Sequence, residues 1–378
     1  MPQPRILFIR LGAIGDVVRT LPVLTLVRRR HPEAHLAWLV EERSVPVLRR
    51  HPALDETILL PRDALVGELG SPDQFFDGLA RAGRLVADLR RRRFTASLDF
   101  QGTFKSGLCA FAAGAPLRAG FDRRSVKEGN ALFNNRHITL PPGAVHRVRR
   151  NLALLKAIGI DARPEDETPA PLPIDDGDRK AADLALAASG ASGGPFVFLY
   201  PGSSARQSYK RYPAERLGEV ARRLIEGGVE VVVAPGPGEE PIVAAMRASA
   251  GPSLRVLPPT SLMAMAEVIR RARLFLGGDT GPMHIAAAQG IPVVALFGPT
   301  DPALNAPMGE GHVVLDALDP DRDAAPGPSG PTEPRHVRRL HDPSVFDALA
   351  PGEIARAALV RIGAGAPPAA RPAAVTAS

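Results

Sequence analysis

The chain has 378 residues, of which 45% are hydrophobic, so we expect two domains of ordinary size. Its 47 Lys and Arg residues exceed its 40 Asp and Glu residues, and the excess lies in the first part of the chain. Residues 1–175 hold 27 basic and 19 acidic side chains, whereas the remainder holds 20 and 21. Nucleic acid, a phosphorylated glycolipid and an anionic membrane surface are therefore possible partners of this part.

The composition excludes several classes of protein. The single cysteine, Cys109, excludes an internal disulfide framework and a cysteine-based zinc site, and it fits a reducing cytoplasm. An aromatic content of 5%, with Trp38 as the one tryptophan, argues against a stacking platform for single-stranded nucleic acid. Apolar runs stay below the roughly 18 residues that a membrane span needs. Arg5, Arg10 and Asp16 interrupt the start, which argues against a signal peptide. We expect a cytoplasmic protein that can touch a membrane surface.

Short apolar runs alternate with amphipathic stretches in the first half of the chain. The first run, RILFIR, is followed by two glycines and then by apolar residues at helical spacing. This pattern predicts strands at 5–10, 35–40, 57–60, 95–100 and 117–121. It also predicts a long basic helix over about 76–93 and a helix over 148–160 that closes this half.

A proline-rich acidic stretch at 161–178 is expected to be a linker, after which the alternation restarts. Predicted strands follow at 195–202, 229–236, 274–279 and 292–298, and predicted helices at 214–228, near 242–248 and at 261–272. The alternation implies two Rossmann-like α/β domains with parallel sheets facing across a cleft. We place them at 1–165 and 179–345, with a long loop at 317–343, a terminal helix at 351–362 and a disordered tail at 363–378.

Ligands of open parallel sheets bind where strands run into helix N-termini, and the first such loop is LGAIGD at 11–16. Gly12 and Gly15 let backbone amides approach an anion at the start of the next helix. Asp16 is then either a helix N-cap or a general base at the mouth of the cleft. The loop lacks the G-x-G-x-x-G pattern, which disfavours a dinucleotide site.

A second loop, at 200–213, has the composition of a phosphate-binding turn. Gly202, Ser203 and Ser204 offer amides and hydroxyls, and Lys210 and Arg211 offer cations just ahead of a helix. The spacing is not that of a P-loop, which excludes a Walker-type ATPase. The alternative interpretation is a solvated polar turn.

Two further loops follow strands of the second half. The loop at 234–240 ends in acidic residues, and an acid at a strand end suits a ribose hydroxyl pair. Asp279, Thr280 and Gly281 are expected to cap a helix whose first amides face the cleft, with His284 one turn inside as a structural side chain.

We expect no metal site in this chain. The D-x-D pattern that can hold a divalent metal on a sugar nucleotide occurs at 321–323 and at 176–178. Both matches lie in Pro- and Gly-rich connecting segments rather than after a strand.

Together these loops resemble glycosyltransferase family 9, whose best-known members are the ADP-heptose:lipopolysaccharide heptosyltransferases. The resemblance covers nearly the whole chain to about Thr300. It is carried by the segments at 6–22, 99–108, 120–129, 146–155, 201–217 and, most specifically, GGDTGPMHIAAAQGIPVVALFGPTDP at 277–302.

The resemblance implies a GT-B architecture and an inverting transfer of a sugar from a nucleotide donor to an anionic glycolipid. Asp16 corresponds to the catalytic base of the family. The implied donor-binding residues are Gly12, Gly15, Ser203, Ser204, Lys210, Glu240 as the ribose contact, Asp279, Thr280 and Gly281. Those implied for the anionic acceptor are Lys105, Arg123 and Arg124.

The resemblance further implies ADP-heptose as donor, no cofactor, no nucleic acid partner and contact with the cytoplasmic face of the inner membrane, and we expect a monomer. The chain departs from the family at Gly12 and Ala13, where relatives often carry serines, and in its cysteine-free segment after Pro302. Transfer of another nucleotide-activated sugar in surface-polysaccharide assembly therefore stays open, and so does a nucleotide-sugar epimerase. A basic nucleic-acid-binding module is disfavoured by the scarcity of aromatic residues.

Overall fold

The structure is a computed structural model, and it describes residues 3–61, 72–142, 146–319 and 343–363. The chain divides into two compact units, Met1–Pro173 and Ile174–Ser378, called here the N unit and the C unit. Most of the predicted loop at 317–343 and all but the first residue of the predicted tail at 363–378 lie outside the described residues.

The N unit is built on a six-stranded parallel sheet in the order β3-β2-β1-β4-β5-β6. The central strands are buried almost throughout, as expected for a parallel sheet covered by helices on both faces. Its strands are β1 (Arg5–Ile9), β2 (His35–Glu41), β3 (Glu56–Leu60), β4 (Ala96–Asp99), β5 (Leu117–Phe121) and β6 (Arg136–Ile138). Five of these confirm the sequence prediction, whereas β6 was missed because it is a three-residue edge strand with two exposed positions.

Six α-helices connect the strands of the N unit in its described part: α1 (Ile14–Val18), α2 (Leu21–Arg30), α3 (Val45–Leu48), α4 (Pro72–Arg91), α5 (Phe104–Ala112) and α6 (Arg147–Ala153). The long basic helix therefore begins four residues before the predicted Phe76. The helix predicted over 148–160 is α-helical only to Ala153 and continues as a 3₁₀ turn, Leu154–Ile158.

The C unit repeats the same architecture. Its sheet is parallel, in the order β12-β11-β10-β7-β8-β9. The strands are β7 (Phe196–Tyr200), β8 (Glu230–Val233), β9 (Arg255–Val256), β10 (Leu274–Gly278), β11 (Val293–Phe297) and β12 (Val313–Asp316). The sequence did not predict β9 and β12, which form the two edges and are short and only partly buried.

The described helices of the C unit are α7 (Asp176–Ser189), α8 (Ala214–Glu226), α9 (Glu240–Ala250), α10 (Leu262–Arg271), α11 (Gly281–Ala288), α12 (Pro302–Asn305) and α13 (Pro351–Gly363). The linker predicted over 161–178 therefore contains the start of α7. The Asp175 carboxylate caps this helix at the Asp178 amide, 2.7 Å away, so the acidic residues form a capping box rather than a linker. None of the described helices is long and apolar enough to cross a bilayer.

The strand order of each sheet reverses at one point, between β1 and β4 in the N unit and between β7 and β10 in the C unit. Loops at such a reversal diverge to opposite faces of the sheet and leave a crevice at the carboxyl ends of the strands. The four loops that open these two crevices follow β1, β4, β7 and β10. Three of them are the loops that carry Asp16, Ser203 and Asp279.

Candidate functional site

Asp16 lies in the first turn of α1, directly after β1. The N-cap of this helix is Ala13, so the interpretation of Asp16 as an N-cap is wrong. Its carboxylate instead forms ion pairs with the guanidinium groups of Arg10 and Arg19, and the side chains of both arginines are 9% exposed. Asp16 keeps 22% of its side-chain surface exposed, so it remains reachable from solvent.

Two further arginines, from the start of α6, lie in the same small pocket. Arg147 interacts electrostatically with Asp16 and Arg19. Arg150 donates to the Ser125 carbonyl at 3.1 Å, and its guanidinium lies 5.6 Å from the centre of the Phe121 ring. The pocket thus places four guanidinium groups around one carboxylate. Its lining comprises Arg10, Asp16, Arg19, Phe100, Gln101, Gly102, Phe121, Ser125, Arg147, Arg150 and Asn151.

The charges in this pocket dominate its protonation states. Burial alone would raise the pKa of Asp16, but the positive charges of Arg10, Arg19 and Arg147 outweigh it and hold that pKa well below its usual range. Burial together with the neighbouring cations lowers the pKa of Arg147 and of Arg150. Asp16 is therefore ionised at neutral pH, and the pocket carries an excess of positive charge.

Backbone contacts fix the two elements that carry these charges. The Arg10 guanidinium donates to the Phe100 carbonyl at 2.7 Å, which ties the end of β1 to the end of β4. The Thr20 hydroxyl donates to the Asp16 carbonyl at 2.8 Å and accepts from the Asn151 amide at 2.9 Å. Since Asn151 belongs to α6, this chain of hydrogen bonds joins α6 to α1. These hydrogen bonds hold the carboxylate and the arginines in register.

The wall of the pocket on the β4 side is anchored by Asp99, which is fully buried. Its carboxylate accepts hydrogen bonds from the Gln101 and Gly102 amides, the Ser106 hydroxyl and the Asn130 side-chain amide, at 2.6–3.1 Å. Burial nevertheless raises the pKa of Asp99. Because all four partners hold the loop after β4, Asp99 is a scaffold residue and not a second base.

The residues predicted for the acceptor lie outside the lining of this pocket. The Lys105 ammonium lies 2.8 Å from the Glu41 carboxylate, and Arg123 and Arg124 are exposed in the turn after β5. Gly12 is half-buried in the loop before α1, and Gly15 is buried within that helix. The roles assigned to these five residues stay predictions.

In the C unit, the loop after β7 carries the predicted diphosphate contacts. The Ser203 amide donates to the Glu239 carboxylate at 2.9 Å. The Ser203 hydroxyl donates to the Gln207 carbonyl at 2.9 Å and accepts from the Arg211 guanidinium at 3.1 Å. Ser203 therefore shapes the loop, whereas Ser204 is exposed, with its hydroxyl 3.4 Å from the Gln207 side chain.

Lys210 and Asp279 come together across the carboxyl ends of β7 and β10. The Lys210 ammonium lies 3.1 Å from the Asp279 carboxylate, and His284 Nε2 lies 3.6 Å from the other oxygen of that carboxylate. Thr280 is the N-cap of α11 and Gly281 its first residue. His284 is 5% exposed, which agrees with its predicted structural role.

Glu239, which the sequence analysis did not select, organises this site, whereas the selected Glu240 lies exposed at the start of α9. The Glu239 carboxylate accepts from the Ser203 and Gly236 amides, both at 2.9 Å, and from Arg211 at 3.2 Å. It lies so close to the loop after β7 that a Cβ on Gly202 would be 1.8 Å from a Glu239 oxygen. Glu240 as ribose contact stays a prediction.

The two D-x-D matches do not gain support as metal sites. The match at 176–178 forms the beginning of α7, and the match at 321–323 lies outside the described residues. Among the residues that are described, His, Cys, Asp and Glu side chains do not gather in groups of three or more that could hold a metal ion.

The pocket arginines could not be selected from the sequence as one group, because Arg10 and Arg19 lie more than a hundred positions from Arg147 and Arg150 and meet them only in the fold. One signal was available: Arg10 directly follows the apolar run Ile6–Ile9 of β1 at the ligand-binding edge of the sheet, where a buried charge needs a partner. Arg147 and Arg150 lie within the segment HRVRRN, which contributed to the resemblance but not to the list of candidate residues.

Comparison with known proteins identifies the family of this chain. The sequence model of glycosyltransferase family 9 (heptosyltransferase) matches residues 82–322. Lipopolysaccharide heptosyltransferase 1 of Pseudomonas aeruginosa is 30% identical over 311 residues, which cover 82% of this chain and 83% of that protein.

Two solved structures extend the likeness to the fold. The glycosyl transferase family 9 protein from Veillonella parvula has a TM-score of 0.75 at 20% identity, covering 96% of this chain and 98% of that chain. The E. coli heptosyltransferase WaaC with ADP-2-deoxy-2-fluoro heptose has a TM-score of 0.63 at 25% identity, covering 82% and 92%. The chain belongs to glycosyltransferase family 9, it is a glycosyltransferase, and its two parallel sheets are those of the GT-B architecture.

A substitution at Glu239 tests its role as the organiser of the loop after β7. In Glu239→Gln the new amide group cannot accept from all the donors that face it, so at least one buried N–H loses its partner. We expect a loss of about 1–3 kcal/mol in the free energy of unfolding of the C unit. Denaturant titration followed by circular dichroism measures it.

The matched control is Glu240→Gln, one residue along and exposed, for which we expect a change within about 0.5 kcal/mol. If the two variants are equally stable, Glu239 does not stabilise the loop after β7. If Glu240 binds ribose, Glu240→Gln instead weakens the binding of a nucleoside diphosphate in calorimetry.

Proposed function

We propose that this protein transfers heptose from ADP-heptose to a lipopolysaccharide-core or related glycolipid acceptor, with inversion at the anomeric carbon. The observation that carries the proposal is the ionised Asp16 carboxylate, ringed by arginines at the crevice of the first sheet. The proposal is also supported by the family to which the chain belongs. Its relatives include a protein named lipopolysaccharide heptosyltransferase 1 and a heptosyltransferase solved with ADP-2-deoxy-2-fluoro heptose.

In the proposed reaction an acceptor hydroxyl oxygen attacks the anomeric carbon of the donor from the face opposite the diphosphate. The new carbon–oxygen bond forms as the bond to the diphosphate breaks, ADP leaves, and the hydroxyl proton passes to the Asp16 carboxylate. A carboxylate with a strongly lowered pKa is a weak base. It suffices if the proton moves late, because the attacking oxygen becomes acidic as it bonds to an oxocarbenium-like carbon.

We assign the arginine pocket to an anionic group of the acceptor, a carboxylate or a phosphate. Burial and the neighbouring cations together lower the pKa of Arg147 and Arg150, and a second anion in this pocket would offset the repulsion among the four guanidinium groups. Guanidinium groups bind planar or tetrahedral oxyanions through paired hydrogen bonds. An anion held in this pocket would place the neighbouring hydroxyl beside Asp16.

The departing diphosphate is proposed to lie at the C unit, near Ser204 and Lys210. Lys210 would exchange its contact with Asp279 for one with the phosphates, and the first amides of α11 after Thr280 would add donors. This arrangement assigns the charge developed on ADP to protein groups, with no metal. The acceptor lipid places the enzyme at the cytoplasmic face of the inner membrane, where we propose that it works as a monomer.

An assay of substrate use tests the proposed function. Purified protein is incubated with ADP-heptose and a glycolipid acceptor, and the products are identified by mass spectrometry. We expect a heptosylated glycolipid and ADP in equal amounts. Turnover with another nucleotide sugar in place of ADP-heptose would identify a different donor, and conversion of the donor without any acceptor would identify an epimerase.

Asp16→Asn tests the proposed base. The amide cannot take a proton, so we expect kcat to fall by about 10² to 10⁴, while calorimetry shows an unchanged affinity for ADP. Unchanged turnover would exclude Asp16 as the base. A lower affinity for ADP would place Asp16 in donor binding instead.

The pH dependence separates the catalytic role of Asp16 from its structural role. Because folding lowers the pKa of Asp16, its contribution to stability is fully present above about pH 4 and is lost as the pH falls further. Asp16→Asn should therefore have a lower melting temperature than the wild type at pH 7. In strong acid, where Asp16 is protonated in the wild type, the two melting temperatures should be equal. In the wild type, kcat/KM should show no ionisation of this carboxyl between pH 5 and 8.

Arg147→Gln tests the acceptor pocket. Loss of one charged hydrogen-bonding partner should raise KM for the acceptor by about tenfold to a hundredfold and leave KM for the donor unchanged. The matched control is Arg149→Gln on the same helix, because Arg149 is half-exposed and pairs with Glu167 at the surface. Equal effects of the two variants, or a rise in KM for the donor alone, would contradict the assignment.

A further inference from the structure

Six large hydrophobic side chains are conspicuously exposed among the described residues, and three of them lie together in the N unit. Phe104 and Phe111 on α5 are 51% and 52% exposed, and Leu132 is 74% exposed in the 3₁₀ turn Asn130–Leu132. The other three, Leu59, Leu184 and Val360, belong to separate elements. Exposed apolar side chains are common singly, but a cluster of this kind marks an interaction surface.

Phe133 contacts both phenylalanines of α5 and directly follows Leu132 in the chain, and these four residues are called here the aromatic patch (Phe104, Phe111, Leu132 and Phe133). The ring centroid of Phe133 lies 5.1 Å from that of Phe104 and 6.4 Å from that of Phe111, both edge-on. Phe104 and Phe111 are seven residues apart, so they share one face of α5. The opposite face of the helix, with Ser106, Cys109 and Ala110, is buried against the rest of the N unit.

The chain beside the aromatic patch carries more basic than acidic residues, although one acidic group, the Glu128 carboxylate, accepts from the Phe104 amide at 3.1 Å. The Arg118 guanidinium lies 5.6 Å from the centre of the Phe111 ring and donates to the Phe133 carbonyl at 3.0 Å. The segment 116–136, which supplies half of the patch, carries five basic residues and two acidic ones. Lys127 and Arg136 in this segment are exposed. Aromatic and aliphatic side chains flanked by cations match an anionic bilayer, since the rings enter the interface while the cations remain among the headgroups.

We propose that the aromatic patch is the surface by which this protein docks on an anionic lipid bilayer. The biological purpose of this docking rests on the proposed function, because a glycolipid acceptor lies in a membrane. The evidence for the docking surface is independent of that function and consists of the exposure and charge of the patch. The loop after β4, which lines the arginine pocket with Phe100, Gln101 and Gly102, leads within two residues to Phe104, so the pocket and the patch share one segment of the N unit. A bilayer-bound patch would therefore leave the acceptor headgroup within reach of Asp16.

Sedimentation with vesicles of phosphatidylethanolamine and phosphatidylglycerol tests the proposal, with no donor or acceptor present. The test variant is Phe111→Ser combined with Leu132→Ser, which leaves Phe104, the neighbour of Lys105, unchanged. We expect the wild type to bind these vesicles and the double variant to bind about tenfold more weakly or worse. The matched control, Leu184→Ser with Val360→Ser, removes two equally exposed apolar side chains of the C unit and should bind as the wild type does.

Charge is tested separately by Lys127→Gln, for which we expect about fivefold weaker binding, and by raising the salt concentration. Thermal denaturation of every variant shows whether it is folded. Transfer to a deacylated, water-soluble acceptor should proceed equally in the double variant and the wild type, whereas transfer to vesicle-bound acceptor should fall. This arm separates loss of docking from failure of the proposed activity.

Three outcomes would overturn the proposal. The wild type could fail to sediment with the vesicles, or both double variants could bind equally well. Light scattering could instead show that the wild type is a dimer which Phe111→Ser with Leu132→Ser converts to a monomer, and the patch would then be a contact between two copies of the chain.

Discussion

The ion pairs of Asp16 with Arg10 and Arg19 are the interaction on which the N unit's crevice depends. They place a carboxylate among four guanidinium groups that would otherwise repel one another in a partly buried pocket. The same carboxylate belongs to the residue whose backbone is tied through Thr20 to α6. One acidic residue therefore balances the charge of the pocket and also marks where the ends of β1, β4 and α6 meet.

In the C unit, the carboxylate of Glu239 organises the loop at the crevice of the sheet. Glu239 accepts hydrogen bonds from two backbone amides and from Arg211, so contacts within the protein shape the loop after β7. Asp16 has a pocket open to solvent beside it, whereas Glu239 is 4% exposed and its carboxylate oxygens accept hydrogen bonds from groups of the protein. The contrast supports the catalytic role that we propose for Asp16, and it fits Glu239 to a role in preorganisation. Groups fixed in advance stabilise a developing charge without having to reorganise during the reaction.

The sequence predicted the fold more completely than the site. The central strands were predicted because β-branched and aromatic runs ending in glycine leave few alternatives, and the loops after them followed from the rule for parallel sheets. Edge strands such as β9 were not predicted, because a strand of two partly buried residues has no periodic pattern of apolar residues. The choice of Glu240 over Glu239 depended on which of two adjacent carboxylates points inward. The full set of pocket arginines depended on contacts between the loop after β1 and α6, more than a hundred positions away. Neither is visible in local sequence.

The charge asymmetry of the chain has a physical reason in this structure. Part of the basic excess of residues 1–175 lies where the N unit would meet an anion in the proposed function: four arginines line the arginine pocket, and Arg118 lies beside the aromatic patch. A lipid-linked acceptor approaches from a surface, so attraction must act before contact, and several charges are needed for it. A small nucleotide sugar diffuses freely and can be met by Lys210, the loop amides and a helix N-terminus. The near-neutral charge of the C unit is consistent with a proposed site for a small donor, and the basic charge of the N unit with a proposed site for a lipid-linked acceptor.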